Sequence, residues 1–265
     1  MKNSFSVLKF WVIAVTAIAC MLCGWVSATE TSLNMIVGNA SAPKMFLNAD
    51  GNPDGYFVAL AKEVGRRAGY KVEIISVPWA RGLQMAERGE GVICSLSMLP
   101  EREKIFKYSA SVVVDPVLIV TMKNRNLTAS SLADLKGLVV GLNRGSRYGS
   151  KFVKELTLVQ IDEDNNGLSR IRKLVLGRID AAIMPGGLAA VKLNAQAANI
   201  DLNDLEIQKT PIALDKNYFA IAKLRPDANE VIERLNSAMV AMVADGSMNQ
   251  ILTVWGVQNE VVEKH

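Results

Sequence analysis

Residues 92–122 read VICSLSMLPEREKIFKYSASVVVDPVLIVTM, and this stretch carries most of the information about the fold. A short apolar run, Val92–Leu96, predicts a strand that ends at the charged segment after it. A second apolar run, Val112–Met122, is long and β-branched but contains Pro116. Proline cannot donate to a strand ladder, so it is unfavourable in a central strand. It is compatible with a segment that crosses from one lobe to another, and the chain is long enough for two lobes but not for three.

Outward from this stretch, strand and helix patterns alternate along the chain, which predicts an α/β protein. Tyr56–Ala68 has apolar residues at helical spacing and stops at Gly69, and Lys71–Val77 alternates like a strand. The other predicted strands are Asn34–Asn39, Leu138–Leu142, Val159–Asp162, Asp180–Met184, Leu205–Ile212 and Asn217–Lys223. The other predicted helices are Arg81–Arg88, Arg147–Leu156, Leu168–Leu176, Gly187–Ala198, Asn229–Ala244 and Met248–Trp255.

The first 28 residues have the features of a secretory signal peptide. Lys2 and Lys9 are their only charges, and an uncharged run extends from Phe10 to Val26. Val26-Ser27-Ala28 is a small-x-small cleavage site. The sequence therefore predicts export to a bacterial periplasm with cleavage after residue 28, and an uncleaved membrane anchor is the alternative.

The composition argues against several classes of protein. Removing the two lysines of residues 1–28 lowers the formal net charge from +4 to +2, without the clustered positive charge of a nucleic-acid-binding protein. Beyond that segment no apolar run approaches the roughly 18–20 residues that span a bilayer. Cys94 is then the single cysteine and the terminal His265 the single histidine, which argues against an intramolecular disulfide and against histidine-based catalysis. We predict a monomer with no cofactor, no metal and no nucleic-acid partner.

Seven short stretches follow one another in an order typical of one protein family. They are Asp50-Gly51 with Gly55-Tyr56, Ser97–Arg102, Phe106–Ser109, Leu132–Gly137, Val139–Gly141, Gly177–Ala181, and Asp245–Met248 with Trp255-Gly256. On these stretches the chain resembles the family 3 periplasmic solute-binding proteins, the type that captures polar amino acids for an ABC importer. The resemblance extends from about Met35 to Val257.

The resemblance implies an α/β fold of the two-lobed, type II periplasmic-binding-protein class, with two crossing strands between the lobes. Carried onto this sequence, lobe 1 comprises residues 29–118 plus 217–265 and lobe 2 comprises residues 119–216. Pro116 and the stretch Pro211–Asn217 mark the crossings, which absorb the backbone change of closure. The implied function is capture of a small carboxylate-bearing solute, an amino acid or related polar compound, for a permease in the inner membrane.

Four residues of lobe 1 match ligand-binding positions of the family. Arg102 matches an arginine after a Pro-Glu pair that binds the ligand carboxylate through two charge-assisted bonds. Ser97 matches a hydroxyl beside that carboxylate, Ser95 a residue whose backbone faces the ligand, and Trp79 the aromatic wall of the pocket. Each has a structural alternative: a surface arginine in a charged run, strand-end serines and a core tryptophan.

In lobe 2, Gly145-Ser146-Arg147 matches the Gly-Thr loop of the family at a helix start, where backbone N–H groups suit an anion. Arg144 adds positive charge, and Asn143 occupies a position that contacts the ligand side chain. The glycine spacing here is neither a dinucleotide fingerprint nor a P-loop. The loop therefore predicts a carboxylate site, and the alternative is a glycine-punctuated turn with a solvated basic face.

Some positions depart from the pattern of amino-acid binders. Where those proteins have an Asp that pairs with the ligand ammonium, this chain has Pro185. Lys44 replaces an aromatic residue, Leu99 a threonine, and Ala59 an acidic residue of the first helix. A desolvated ammonium without a carboxylate partner costs several kcal/mol, so the departures disfavour a standard α-amino acid.

The charges near the expected cleft lead to the same expectation. Lys44, Arg102 and Arg144 together favour an anionic or multiply polar ligand. An amino acid becomes acceptable if Asp54, Asp115 or another carboxylate takes the place of the missing ammonium partner. The sequence leaves this choice open.

Two other functions remain open beside solute binding. Some proteins with this fold resemble cyclohexadienyl dehydratases, which need a general acid in the cleft, and the sequence singles out no carboxylate for that role. A ligand-sensing or accessory domain would bind a ligand and then a partner protein. We predict a binding protein rather than an enzyme.

Overall fold

The computed structural model describes residues 31–257. The predicted signal segment, residues 1–28, and His265 lie outside the described residues. The strands are β1 (Ser32–Val37), β2 (Ala40–Ser41), β3 (Met45–Leu47), β4 (Pro53–Asp54), β5 (Lys71–Ser76), β6 (Val92–Ser97), β7 (Phe106–Tyr108), β8 (Val113–Met122), β9 (Val139–Asn143), β10 (Gln160–Asp164), β11 (Ala181–Pro185), β12 (Leu205–Ile207) and β13 (Ala213–Ala222). The α-helices are α1 (Tyr56–Arg67), α2 (Trp79–Glu87), α3 (Pro100–Glu103), α4 (Gly149–Glu155), α5 (Gly167–Val175), α6 (Gly187–Ala197), α7 (Ala228–Ala244) and α8 (Ser247–Val254).

Strands β8 and β13 are the central strands of one mixed, ten-stranded sheet. The strand order is β10-β9-β11-β8-β13-β6-β1-β5, with β12 beside β8 and β7 beside β13. Residues 113–117 of β8 pair with residues 213–217 of β13 in antiparallel register. The rest of β8 pairs with β11 and β12, whereas the rest of β13 pairs with β6 and β7. The two strands thus cross between two α/β lobes, which confirms the predicted type II fold.

Pro116 fits this crossing for the reason that the sequence suggests. It pairs with Leu214 of β13, and the pairing of β8 with β11 begins one residue later at Val117. The proline therefore stands where the pairing of β8 passes from β13 to β11.

The first lobe is held together by helices packed on both faces of its sheet. Phe57, Leu60 and Val64 of α1 lie on one apolar stripe and pack in one cluster with Leu235 and Met242 of α7. A separate cluster fills the face covered by α2. This is the packing that the helical spacing of α1 predicts.

The second lobe explains why β8 is apolar throughout. Val117 and Ile119 point into one core cluster, whereas Leu118 and Val120 point into another. Successive strand residues face opposite sides of a sheet, and here both sides are covered. A strand buried on both faces carries a continuous apolar run rather than an alternating one.

Several predicted elements differ in their bounds from the structure. The strand predicted at Leu205–Ile212 ends at Ile207, and the last strand begins at Ala213 rather than Asn217. The helix predicted from Arg147 begins at Gly149. In addition, β2, β3 and β4 form a small antiparallel sheet of two- and three-residue strands, which are too short to show a period in sequence.

A buried ion pair fixes one end of the second-lobe sheet. Arg170 of α5 is 1% exposed, and its Nε and Nη2 atoms donate to the two carboxylate oxygens of Asp164 at 3.0 and 2.5 Å. Its Nη1 atom donates to the carbonyl of Ile183 at 2.7 Å. The carbonyl of Asp164 in turn accepts from the N–H of Arg144 at 2.8 Å, which positions the loop after β9.

We expect Arg170→Met to lower the free energy of unfolding by about 3–5 kcal/mol, because it leaves the Asp164 carboxylate buried without a counter-charge. Urea denaturation measures this loss. The double variant Arg170→Met/Asp164→Asn should recover much of it. Arg66→Ala, which breaks an exposed pair with Glu63, serves as the control and should cost less than about 1 kcal/mol. Equal costs for the two single variants would contradict this reading of the pair.

Candidate functional site

A cleft between the two lobes encloses about 520 Å³, measured out to its open mouth. Eight of the nine predicted site residues line the cleft: Lys44, Trp79, Ser95, Ser97, Arg102, Asn143, Ser146 and Arg147. The ninth, Arg144, does not. Residues that the sequence analysis did not select also line it, among them Tyr148, Asp215 and Asn217.

Arg102 is buried in the cleft rather than exposed on a charged surface. It lies on the short helix α3 directly after β6 and is 7% exposed. Its Nη1 atom donates to the carbonyl of Ser97 at 3.2 Å, and its Nη2 atom donates to the carbonyl of Gly145 at 3.1 Å. Burial lowers the pKa of Arg102, but a guanidinium stays protonated at neutral pH. One positive group therefore reaches both walls of the cleft.

Lys44 lines the cleft, but protein groups already bind its ammonium. The backbone of Lys44 is held at the start of α1, where its carbonyl accepts from the N–H of Phe57 at 3.1 Å. A Cβ atom at Gly55 would lie 2.4 Å from that carbonyl oxygen, so the approach needs glycine. The Nζ atom donates to Oδ1 of Asn217 at 2.8 Å and forms an ion pair with Asp115. The charge of Lys44 is thus neutralised within the protein.

Asp115 of the crossing strand β8 is a buried carboxylate with three donors around it. It is 2% exposed. Besides the Lys44 ammonium, it accepts from the hydroxyl of Tyr56 at 2.7 Å and from Nδ2 of Asn217 at 3.1 Å. Burial, followed by the charge of Asp115, raises the pKa of Tyr56 well above its ordinary value, so the phenol remains a donor. These three donors compensate the buried charge of Asp115.

Asp215 lies directly opposite Asp115 in the ladder between β8 and β13 and lines the cleft. It is 6% exposed, and the hydroxyl of Ser97 donates to its Oδ2 atom at 2.9 Å. Burial raises the pKa of Asp215 to about 7. The charge of Asp115 acts in the same direction, whereas Lys44, Ser97 and Arg102 act against it. Near neutral pH this carboxyl group is therefore poised between its two protonation states.

The second-lobe wall is the loop between β9 and α4. The N–H of Ser146 donates to the carbonyl of Asn143 at 3.0 Å, and Nδ2 of Asn143 donates to Oγ of Ser146 at 3.2 Å. Gly145 has φ +75°, which favours glycine. Because α4 begins at Gly149, the Ser146 N–H belongs to a turn rather than to a helix start. The loop therefore offers its side chains to the cleft, whereas the prediction was for the backbone N–H groups of a helix start.

The two arginines of this loop have different surroundings. Arg147 lines the cleft, donates to the neighbouring carbonyl of Ser146 at 2.7 Å, and lies 3.8 Å from Glu163. Arg144 is more than half exposed, and its Nε atom lies 3.6 Å from the same Glu163. Of the predicted pair, Arg147 is therefore placed to contact a ligand and Arg144 is not.

Two buried polar atoms of the cleft residues make no hydrogen bond of standard geometry within the described part of the chain. They are Nε1 of Trp79 and the hydroxyl of Tyr148, which lies close to Ser146. Burial raises the pKa of Tyr148 to about 12, so its hydroxyl can donate at neutral pH. Because unpaired buried polar groups are costly, acceptor atoms of a ligand would stabilise both.

Strand alternation is the signal that would have identified the missed residues on β13. Asp215, Asn217 and Phe219 are buried, whereas Leu214 is 67% exposed and Lys216 is exposed. From the sequence alone, residues 211–217 are predicted to be a connection between the lobes. The alternation of exposed and buried residues in the first half of β13 is therefore not expected there. Tyr148 was hidden within a predicted helix that in fact begins one residue after it.

Other chemistry is limited in the region that the structure describes. No group of three or more His, Cys, Asp or Glu residues there could hold a metal ion. No helix among residues 31–257 is long and apolar enough to cross a membrane. Cys94 is buried in the first-lobe core, and burial raises the pKa of its thiol, so it behaves as a small apolar residue.

We expect Asp215→Asn to stabilise the ligand-free protein at pH 8. The pKa of Asp215 is raised in the folded chain from 3.8 to about 7, so between these values the unfolded chain has lost a proton that the folded chain still binds, and the free energy of unfolding falls as the pH rises from about 4 to about 7. The amide removes that charge and keeps an acceptor for Ser97. The melting temperature should rise by about 2–4 °C per kcal/mol gained, and the gain should shrink as the pH is lowered to 4. A gain that is constant with pH would contradict the assignment.

The family model for bacterial extracellular solute-binding proteins, family 3, matches residues 33–258. The L-cystine-binding protein TcyJ of Escherichia coli (strain K12) is 24% identical over 80% of this chain and 78% of its own. The arginine-binding extracellular protein ArtP of Bacillus subtilis (strain 168) is 27% identical over 94% of this chain and 98% of its own.

The fold is also found in solved structures. An ancestral arginine-binding protein bound to arginine superposes with a TM-score of 0.73 at 24% identity, over 85% of this chain and 98% of that one. This likeness shows the shared two-lobed architecture, and the family model covers nearly all of the described residues. The chain belongs to family 3 of the bacterial extracellular solute-binding proteins.

Proposed function

We propose that the protein captures a small carboxylate-bearing solute, an amino acid or a related polar compound, in the cleft and delivers it to an ABC permease in the inner membrane. The observation that carries this proposal is the buried guanidinium of Arg102, which faces the cleft and bonds to both of its walls. An arginine desolvated in this way suits a carboxylate. The relatives named above bind cystine and arginine, which both carry carboxylates.

The mechanism that we propose is closure of two lobes around the solute. The lobes comprise residues 29–118 plus 217–265 and residues 119–216, and they move about β8 and β13. The solute stabilises the closed form because only that form contacts it from both sides. In this proposal the chain works as a monomer in the periplasm after cleavage of residues 1–28.

A second function is supported by Asp215. A carboxylic acid with a pKa near 7 in a cleft has the properties of a general acid, which a cyclohexadienyl-dehydratase-like enzyme would need. Turnover of a cyclohexadienyl acid by the purified protein, abolished in Asp215→Asn, would establish this function. Absence of turnover would leave the solute-binding function. A ligand-sensing or accessory role would use the same cleft and differs in its partner.

A thermal-shift panel of residues 29–265 with amino acids, di- and tricarboxylates, opines and small peptides identifies the solute. We then expect Arg102→Ala to weaken binding of the best panel member by about 2–5 kcal/mol, roughly 30-fold to several thousand-fold. Titration calorimetry measures this loss.

Arg144→Ala is the matched control, since it removes the same type of side chain from an exposed position that does not line the cleft. An exposed ion pair contributes at most about 1 kcal/mol, so the affinity of this variant should stay within roughly fivefold of wild type. If Arg144→Ala weakens binding as much as Arg102→Ala does, the assignment of the carboxylate site to Arg102 is wrong.

Closure can be measured directly. We expect the radius of gyration from small-angle X-ray scattering to fall when the best panel member is added at saturating concentration, because the lobes close on it. Arg102→Ala at the same concentration of solute should show a smaller decrease. Scattering curves that do not change on addition of a bound solute would contradict the closure mechanism.

A further inference from the structure

We propose that Arg147 forms a second anion subsite on the second-lobe wall of the cleft, so that the solute is a small acid with two acidic groups, one at Arg102 and one at Arg147. This inference rests on the proposed function and narrows it from carboxylate-bearing solutes to doubly acidic ones. Of the two arginines in the loop after β9, Arg147 lines the cleft and Arg144 does not.

The first step is the balance of charge in the cleft. The charged residues among those that line it are Lys44, Arg102, Arg147 and Asp215. The charge of Lys44 is compensated by its ion pair with Asp115. Two guanidiniums then face one carboxyl group, and burial raises the pKa of that group, Asp215, to about 7. The cleft therefore carries an excess of positive charge at neutral pH.

The second step concerns the partners of these two guanidiniums within the described part of the chain. Arg102 donates to two backbone carbonyls, and Arg147 donates to that of Ser146. Carbonyl groups accept hydrogen bonds but carry no net charge. The carboxylate of Glu163 lies 3.8 Å from Nη1 of Arg147, beyond hydrogen-bond distance, and also lies near the exposed Arg144. Because a guanidinium has five N–H donors, both cleft arginines have donors left for an anion.

The third step is that the two arginines approach one turn from opposite lobes. Arg102 donates to the carbonyl of Gly145 at 3.1 Å, and Arg147 donates to the next carbonyl, that of Ser146, at 2.7 Å. Since neighbouring residues are so close along the chain, the two guanidiniums lie within roughly 10 Å of each other. Burial lowers the pKa of Arg102, and the charge of Arg147 acts in the same direction. An acidic group at each arginine relieves this repulsion more fully than a single carboxylate does.

The fourth step is that uncharged groups of the cleft are donors as well. Nε1 of Trp79 and the hydroxyl of Tyr148 are buried and make no hydrogen bond of standard geometry among the described residues. An indole N–H can only donate, and burial raises the pKa of Tyr148 to about 12, so that its hydroxyl keeps its proton. An ionised carboxylate accepts at both oxygens, whereas an amide of the same shape accepts at one atom and donates at the other. The cleft therefore favours an acid over its amide.

The test compares acids with amides of the same shape, which differ only in the second acidic group. The pairs are L-glutamate with L-glutamine, L-aspartate with L-asparagine, and glutarate with its monoamide. Each is titrated calorimetrically into wild type, Arg147→Gln and the control Arg144→Gln, which makes the same change at the exposed arginine of the same loop. Circular dichroism confirms that each variant is folded.

We expect wild type and Arg144→Gln to bind at least one acid roughly tenfold or more tightly than its amide, as for loss of a hydrogen bond to a charged group. Arg147→Gln should lose that preference, because its side chain no longer distinguishes the acid by charge. Its affinity for the amides should change little.

The remaining outcomes separate the inference from the function on which it rests. The second anion subsite is wrong, and capture of a single carboxylate stands, if the amides bind wild type as tightly as the acids. The same conclusion follows if the preference survives in Arg147→Gln or is lost in Arg144→Gln, or if a monocarboxylate of the thermal-shift panel binds and none of the three diacids does. If wild type binds neither these probes nor any carboxylate of that panel, both the inference and the proposed function are overturned.

Discussion

The structure depends on two carboxylates that face each other across the only pair of strands joining the lobes in the described chain. Like charges directly opposite in a ladder are destabilising, and burial increases the cost. Asp115 is compensated by Lys44, and Asp215 is not. The crossing strands therefore carry one carboxylate, Asp115, whose charge is compensated within the protein, and one, Asp215, whose protonation depends on its surroundings. In the proposed closure mechanism these strands are the hinge, so Asp215 lies where the lobes and the solute meet.

Asn217 connects this pair to the rest of the cleft. Its amide donates to Asp115 and to the backbone carbonyl of Asp215, and its oxygen accepts from Lys44 and from the hydroxyl of Ser95. Ser95 has φ +73°, an unfavourable backbone conformation for a serine. Strained residues of this kind persist where their surroundings determine them strongly, and they occur often at binding sites. The same side chains thus organise the hinge and line the site.

Much of this arrangement could be predicted from the sequence, and the exceptions have physical reasons. The apolar run of β8 with its single proline indicated a crossing strand, and the family resemblance of the Pro-Glu-Arg stretch implied that Arg102 faces the ligand. The partners of Lys44 could not be read from the sequence, because Asp115 and Asn217 lie 71 and 173 positions away and meet it only through the fold. Asp215 was missed because strands usually turn their apolar residues inward, whereas in β13 Asp215 is buried and its apolar neighbour Leu214 is 67% exposed. Such violations of local pattern are typical of functional positions.

In the proposed mechanism the two lobes make different contacts with the solute, and this difference determines how much closure of the lobes adds to binding. Arg102 and Ser97 follow β6 in the first lobe, so in the proposed function the carboxylate of a solute would gain most of its electrostatic stabilisation before the lobes close. A ligand shifts a conformational equilibrium only through contacts that differ between the two states. In the proposed closure mechanism those contacts would come from residues of the second-lobe wall, Asn143, Ser146, Arg147 and Tyr148, together with the Arg102–Gly145 bond that spans the cleft. The first lobe would then select for the charged head, while the second lobe, through closure, selects for the remainder of the solute. Two solutes with the same head can therefore differ little in how they dock and greatly in how far they close the protein.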